Sequence, residues 1–170
     1  MIELERTFLA KHLPVGLEKC KYTEMIDIYI PKEHEHPTLR IRKNGEKCEI
    51  TKKEPIADDA SEQNEHTIPL REDEFNSLSQ IDGKKVHKFR YIYPYKGRTA
   101  EIDVFQGALK GLVVVDFEFE TREDKAQFQM PDFCLVDVTK EKFIAGGMVC
   151  GKSYQDIEKD LDKFKYAKIH

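Results

Sequence analysis

The chain predicts an α+β fold: about eight antiparallel strands, arranged as a sheet or a closed barrel, with short helices at the periphery. Three observations lead there. Charged and apolar residues alternate with a period of two in at least five segments, a period that sends successive side chains to opposite faces of a strand. Turn signals such as Asn44-Gly45 separate neighbouring runs at hairpin distance. Helical spacing is confined to short stretches between the strands and to the last part of the chain.

The elements follow in order. Ile2 to Phe8 reads as a strand with Glu3, Glu5 and Thr7 on one face, and Pro14 to Cys20 as a first helix with proline near its start. Met25 to Ile30 alternates and stops at Pro31. Thr38 to Lys43 is its expected partner, and Lys47 to Lys53 returns after Asn44-Gly45. Asp58 to Asn64 is polar without an apolar period and reads as a loop, followed by a strand at Glu65 to Leu70 and a short helix at Arg71 to Leu78. Lys85 to Tyr95 and Thr99 to Gln106 form a further pair joined through Pro94 and Gly97. After a turn at Gly107 to Gly111 comes the longest strand candidate, Leu112 to Thr121. Arg122 to Phe128 reads as a helix, Leu135 to Thr139 as a short strand, and Ser153 to Tyr166 as a closing helix burying Ile157, Leu161 and Phe164. No internal repeat is evident, and the 170 residues suit one domain spanning 1–170.

The charge pattern carries the chemistry. Leu39-Arg40-Ile41-Arg42, Lys88-Phe89-Arg90, Glu101-Ile102-Asp103-Val104 and Asp116-Phe117-Glu118-Phe119-Glu120 repeat the opening alternation with both signs of charge. The wet face of a half-buried sheet also alternates, but such a face usually includes Thr, Ser and Gln, whereas these positions are almost wholly Glu, Asp, Arg and Lys. Neighbouring strands lie ~5 Å apart, so carboxylates gathered from several of them repel unless a cation sits among them. The arginines and lysines need an anion in turn. A metal-bound polyphosphate satisfies both sets.

Composition excludes several alternatives. The 28 basic and 32 acidic residues leave a net charge of only −4, giving no global bias toward a nucleic acid polymer or an anionic membrane, so any anion site is local. Cys20, Cys48, Cys134 and Cys150 show no CxxC pair or zinc-finger spacing, and no apolar run is long enough to cross a bilayer. A reduced, cytoplasmic protein without a targeting segment is expected, as a monomer or homodimer. His34-Glu35-His36 beside Pro37 reads as a polar hairpin tip rather than a metal site, since no helix aligns the two imidazoles.

Glu3-Leu4-Glu5-Arg6, Leu39-Arg40-Ile41-Arg42, Thr51-Lys52-Lys53, Lys88-Phe89-Arg90, Glu101-Ile102-Asp103-Val104-Phe105, Asp116-Phe117-Glu118-Phe119 and Asp137-Val138-Thr139 occur in the order of the motifs of the CYTH, or triphosphate tunnel metalloenzyme, superfamily, which the chain resembles over nearly its whole length. The resemblance implies a closed eight-stranded antiparallel β-barrel, a triphosphate tunnel, whose inner face binds a small triphosphate-containing molecule and Mg²⁺ or Mn²⁺. It also implies Glu3, Glu5, Asp103, Asp116 and Glu118 as metal ligands, and Arg40, Arg42, Lys53, Lys88 and Arg90 as substrate-binding cations. Glu3, Glu5 and Lys88 are the implied catalytic residues. Oxygen ligands suit those hard cations, and the paired arginines suit phosphate oxygens. The expected activity is hydrolysis of inorganic tripolyphosphate or of a nucleoside or thiamine triphosphate. The alternatives are a class IV adenylate cyclase-like reaction and a non-catalytic polyphosphate- or nucleotide-binding module. Val104 to Leu112 resembles the tripolyphosphatase type and favours the hydrolase. Thr7 stands where the family's ExExK opening has lysine, with Lys152 a candidate substitute cation. Asp116 stands where Glu is more usual, and Gln63 to Thr67 keeps only Glu65 of the acids expected there.

Overall fold

The computed structural model describes residues 2–57 and 59–170. Its strands are β1 (Ile2–Ala10), β2 (Tyr22–Ile30), β3 (Leu39–Asn44), β4 (Lys47–Ile56), β5 (Asp59–Leu70), β6 (Lys84–Tyr95), β7 (Arg98–Phe105), β8 (Val113–Phe119) and the short β9 (Cys134–Asp137). The helices are α1 (Glu72–Leu78), α2 (Arg122–Gln127), α3 (Gly146–Val149) and α4 (Tyr154–Asp162). Strand order is β5-β4-β3-β2-β6-β7-β8-β1, every pairing is antiparallel, and the first residues of β1 pair back onto β5 with Glu3 opposite Gln63. Eight strands therefore close into a barrel, which leaves none of their edges unpaired along its whole length. β9 takes the space beside the second half of β1, with Phe8 opposite Asp137.

Local sequence explains most boundaries. Gly45 and Gly97 adopt positive φ in the β3–β4 and β6–β7 hairpins, the conformation that two-residue turns require. Ser153 caps α4 reciprocally: its Oγ accepts from the Asp156 amide while the Asp156 carboxylate accepts from the Ser153 amide.

Two sequence expectations are corrected. The helix expected at Pro14 to Cys20 is a single 3-10 turn at Leu17–Lys19, because Gly16 before it sits at φ 84° and breaks helical continuation. Most of the loop expected over Asp58 to Asn64 belongs to β5, with Asp58 outside the described residues. Its inward Gln63 is a buried polar residue lining the cavity, Ser61 is buried with its hydroxyl accepting from Lys125 of α2, and Glu62 and Asn64 are polar as well, so no apolar period marks the strand.

Alternation sorts the side chains. Outward Phe8, Ile102, Val113, Val115 and Phe117 are fully or almost fully buried beneath Phe133 and the partly buried Phe128, each contributing about 1.5–3 kcal/mol by leaving water. Inward residues are charged along most of the bore. At one end they become apolar: Leu9, Val86, Phe105 and Val114 pack against Val138, Ile144 and Val149, with Ile157 and Leu161 of α4 behind them. That end of the bore is filled, so the charged stretch is a one-mouthed cavity.

Candidate active site

The cavity has a volume of about 740 Å³, and eleven acidic and seven basic side chains line it. Every metal-ligand and substrate-binding candidate named from the sequence is among the lining residues. Strand parity places them: β1 supplies Glu3 and Glu5, β3 Arg40 and Arg42, β4 Lys53, β6 Lys88 and Arg90, β7 Asp103, and β8 Asp116 and Glu118.

The ten residues are not equivalent. Arg42 grips Asp27 through two hydrogen bonds, Nε to Oδ1 at 2.6 Å and a terminal nitrogen to Oδ2 at 2.8 Å. Burial alone would raise the Asp27 pKa, but the Arg42 charge and hydrogen bonds, with help from Lys88 and Arg40, hold it at about 2. Asp103 receives Arg90 through both of its oxygens, at 2.7 and 2.8 Å, and Lys88 as well. Burial would push this carboxyl up, yet the Arg90 and Lys88 charges keep it well below the usual carboxylate range. Lys88 is lowered, chiefly by burial and against the pull of Asp103. Asp27 and Asp103 are thus internal counter-ions to the basic band.

The remaining acids are short of positive charge. Lys53 Nζ lies 2.5 Å from Glu3 Oε2 and 3.2 Å from both Glu5 oxygens. Burial, then Asp116 and Glu3, push Glu5 up to about 7 despite Lys53. Burial likewise raises Asp116, with the Asp103 charge adding to it, and raises Glu118, with Glu101 and Glu3 adding to it. Glu3 alone is lowered, because Lys53 outweighs its burial. Crowded carboxylates that resist ionisation are what a missing cation leaves behind, and their hard oxygen donors fit Mg²⁺ or Mn²⁺. Among the described residues no three acids are yet drawn close enough to form a finished cage. Lys53 stands between two of them.

Thr7 carries no charge here. Its hydroxyl donates to Asp116 Oδ1 at 2.6 Å, which orients that carboxyl. Lys152, the sequence-level substitute for the missing lysine, does not line the cavity; the Arg90 guanidinium lies 4.0 Å from the Asp116 carboxylate that Thr7 orients. The His34 to His36 segment is a connection between β2 and β3, pinned by Lys84 donating to the His34 carbonyl at 2.6 Å. Sequence reading passed over Asp27, Tyr29, Glu49 and Glu101 as site residues. The signal was available for Glu49 and Glu101, which share strand parity with Lys53 and with Asp103.

No protein-family model matches the chain. A curated relative, the inorganic triphosphatase of Nitrosomonas europaea, is 28% identical over 144 residues, which span 84% of this chain and 92% of the relative. The crystal structure of an inorganic triphosphatase superposes with a TM-score of 0.65 at 24% identity, covering 88% of this chain and 95% of the other. The chain shares the fold of that triphosphatase, which bears out its resemblance to the CYTH, or triphosphate tunnel metalloenzyme, superfamily. A putative adenylate cyclase from Bacillus halodurans shares the fold at 14% identity and a TM-score of 0.53, covering 99% and 92% of the two chains. Among the described residues no helix is long and apolar enough to cross a membrane.

Proposed function

We propose that this protein hydrolyses a triphosphate, inorganic tripolyphosphate or a nucleoside or thiamine triphosphate, with Mg²⁺ or Mn²⁺ inside the barrel. The observation that carries the reading is the division of one closed-ended cavity into a basic band, with Arg40 Nε buried and unpartnered, and a band of carboxylates short of a cation. The relative from Nitrosomonas europaea, an inorganic triphosphatase, supports the same assignment.

Arg40, Arg42, Lys88 and Arg90 hold the phosphate chain in register, the arginines through forked hydrogen bonds. Glu3, Glu5, Asp116 and Glu118 would hold the metal, while Asp103, committed to Arg90 and Lys88, acts on the basic side as their counter-ion. A bound divalent ion neutralises phosphate oxygens and favours attack by water. Lys53, which lies between Glu3 and Glu5, would be free to pair with the substrate's phosphates once a divalent ion compensated those two carboxylates. A carboxylate of the same band would accept the proton from the attacking water. The excess of acids over bases in the lining means that the polyanion enters favourably only with the metal.

Phosphate release from tripolyphosphate, ATP and thiamine triphosphate, with each metal and with chelator, tests the proposal. Metal-dependent release from at least one of them supports it; no release under any combination rejects it.

A further inference from the structure

Lys53 is rooted on one side of the bore and ends on the other. Its backbone belongs to β4, where its amide donates to the Thr38 carbonyl at 3.1 Å just before β3, so the stem starts beside the strand that carries Arg40 and Arg42. Its ammonium lies against β1 instead, 2.5 Å from Glu3 Oε2 and 3.2 Å from both Glu5 oxygens. β5 stands between the two strands, with Glu65 opposite Lys53 on one side and Gln63 opposite Glu3 on the other. Two strand spacings amount to about 10 Å, so the side chain leans from the basic band across to the acidic one.

The hold on this cation also differs from that on the arginines. Arg42 and Arg90 are each fixed by two hydrogen bonds in the plane of the guanidinium, at 2.6 and 2.8 Å and at 2.7 and 2.8 Å, to carboxylates that are almost wholly buried. Lys53 carries a compact charge with rotatable donors on a flexible stem, and it is shared between two carboxylates that keep about a fifth of their side-chain surface exposed, 22% for Glu3 and 20% for Glu5. One ammonium offsets one of those two negative charges. A divalent ion offsets both, and carboxylate oxygens suit it.

We propose that Lys53 is a resident stand-in for the metal: it pairs with Glu3 and Glu5 in the ligand-free protein, gives way to the divalent ion, and turns back toward the arginine band to meet the triphosphate. This rests on the metal and triphosphate reading of the cavity and adds to it a dependence of each ligand on the other. Metal alone binds weakly because it competes with an internal cation. Triphosphate relieves that competition by giving the displaced ammonium a new partner, and by linkage each ligand strengthens the binding of the other by the same factor.

The test uses the whole chain and Mn²⁺ alone, without triphosphate, followed by titration calorimetry. Lys53→Met keeps the bulk of the stem and drops its charge. It binds Mn²⁺ about tenfold or more tightly than the wild type, the scale of one charge-assisted contact that the ion no longer has to break, while its KM for tripolyphosphate at saturating Mn²⁺ rises. Arg40→Ala is the control for the general field of the bore, since Arg40 lines the same cavity but pairs with Glu49 at 3.8 Å; it changes Mn²⁺ affinity far less. Unchanged or weaker Mn²⁺ binding in Lys53→Met, or an equal gain in Arg40→Ala, overturns the proposal. A crystal of the wild type soaked in Mn²⁺ alone gives a readout that needs no variant: an ion on Glu3 and Glu5 with the Lys53 ammonium moved beyond about 4 Å from both, the limit of an ion pair, supports the stand-in. An ion there with the ammonium unmoved, or no ion there in wild type or variant, overturns it. Hydrolysis is scored separately. If no triphosphate is cleaved but Lys53 gives way to Mn²⁺, the stand-in holds and the hydrolase reading falls; if phosphate is released while Lys53 stays in place, the reverse follows.

Discussion

Replacing Asp27 with Asn removes the negative partner of a buried guanidinium while keeping the shape of the side chain. Asp27 and Arg42 are 1% and 7% exposed, so water compensates neither. The carboxyl is held at about 2 against an ordinary 3.8, which corresponds to roughly 2–3 kcal/mol in favour of the charged form. Leaving Arg42 buried without its counter-ion takes the expected loss to about 3–5 kcal/mol. Urea unfolding at neutral pH measures it. Because the folded-state value is depressed, the stabilisation is fully present above the unfolded value of 3.8 and disappears as pH falls through about 2. Wild type and variant therefore converge over that window. Tripolyphosphate should raise the Tm of Asp27→Asn more than that of the wild type, since an Arg42 without its carboxylate has more to gain from phosphate. A loss below about 1 kcal/mol, or a gap that stays constant down to the lowest pH at which both fold, would refute the view that this pair is a buried, mutually dependent unit.

Further expectations follow from the same lining. Glu5→Gln abolishes metal-dependent phosphate release and leaves the apo protein folded, because it removes one of several repelling carboxylates; turnover and a thermal melt check both halves. Arg40→Ala and Arg42→Ala each raise KM for triphosphate by the equivalent of about 1.5–3 kcal/mol, read from initial rates. Arg42→Ala, which also orphans Asp27, lowers Tm more than Arg40→Ala does. Thr7→Lys sets an ammonium where the Thr7 hydroxyl now orients Asp116, and it tightens tripolyphosphate binding if the site lacks a cation there; calorimetric titration decides, and unchanged or weaker binding shows that Lys88 and Arg90 already fill the need.

Much of this was legible in the sequence for a physical reason. A strand's two-residue period is strict, so once Glu3, Arg40, Lys88 and Asp116 are placed on strands, their facing follows. Barrel closure brings the six contributing strands into one bore. Pairing within the bore is another matter. Nothing in the alternation says that Asp103 would be taken up by Arg90 and Lys88, because that depends on register between β6 and β7, where Arg90 falls opposite Asp103. The same holds for Asp27 with Arg42, set by the β2–β3 register. The first part of β5 was missed because a strand with a wet inner face and a wet outer face has no apolar period to read. The filled end of the bore comes from Val138, Ile144 and Val149, in a region of 3-10 turns and one four-residue helix that carries no regular pattern.

The central claim is that one cavity joins a phosphate-holding band to a metal-holding band and turns over a triphosphate. The most direct measurement is phosphate release from inorganic tripolyphosphate by the purified chain, with Mg²⁺ or Mn²⁺ and with both withheld by chelator, beside Glu5→Gln under the same conditions. The account predicts release that requires the metal and is lost in Glu5→Gln. Tripolyphosphate that raises the Tm in a metal-dependent way yet is never cleaved, alone or as part of a nucleoside or thiamine triphosphate, would contradict it and leave a binding module in its place.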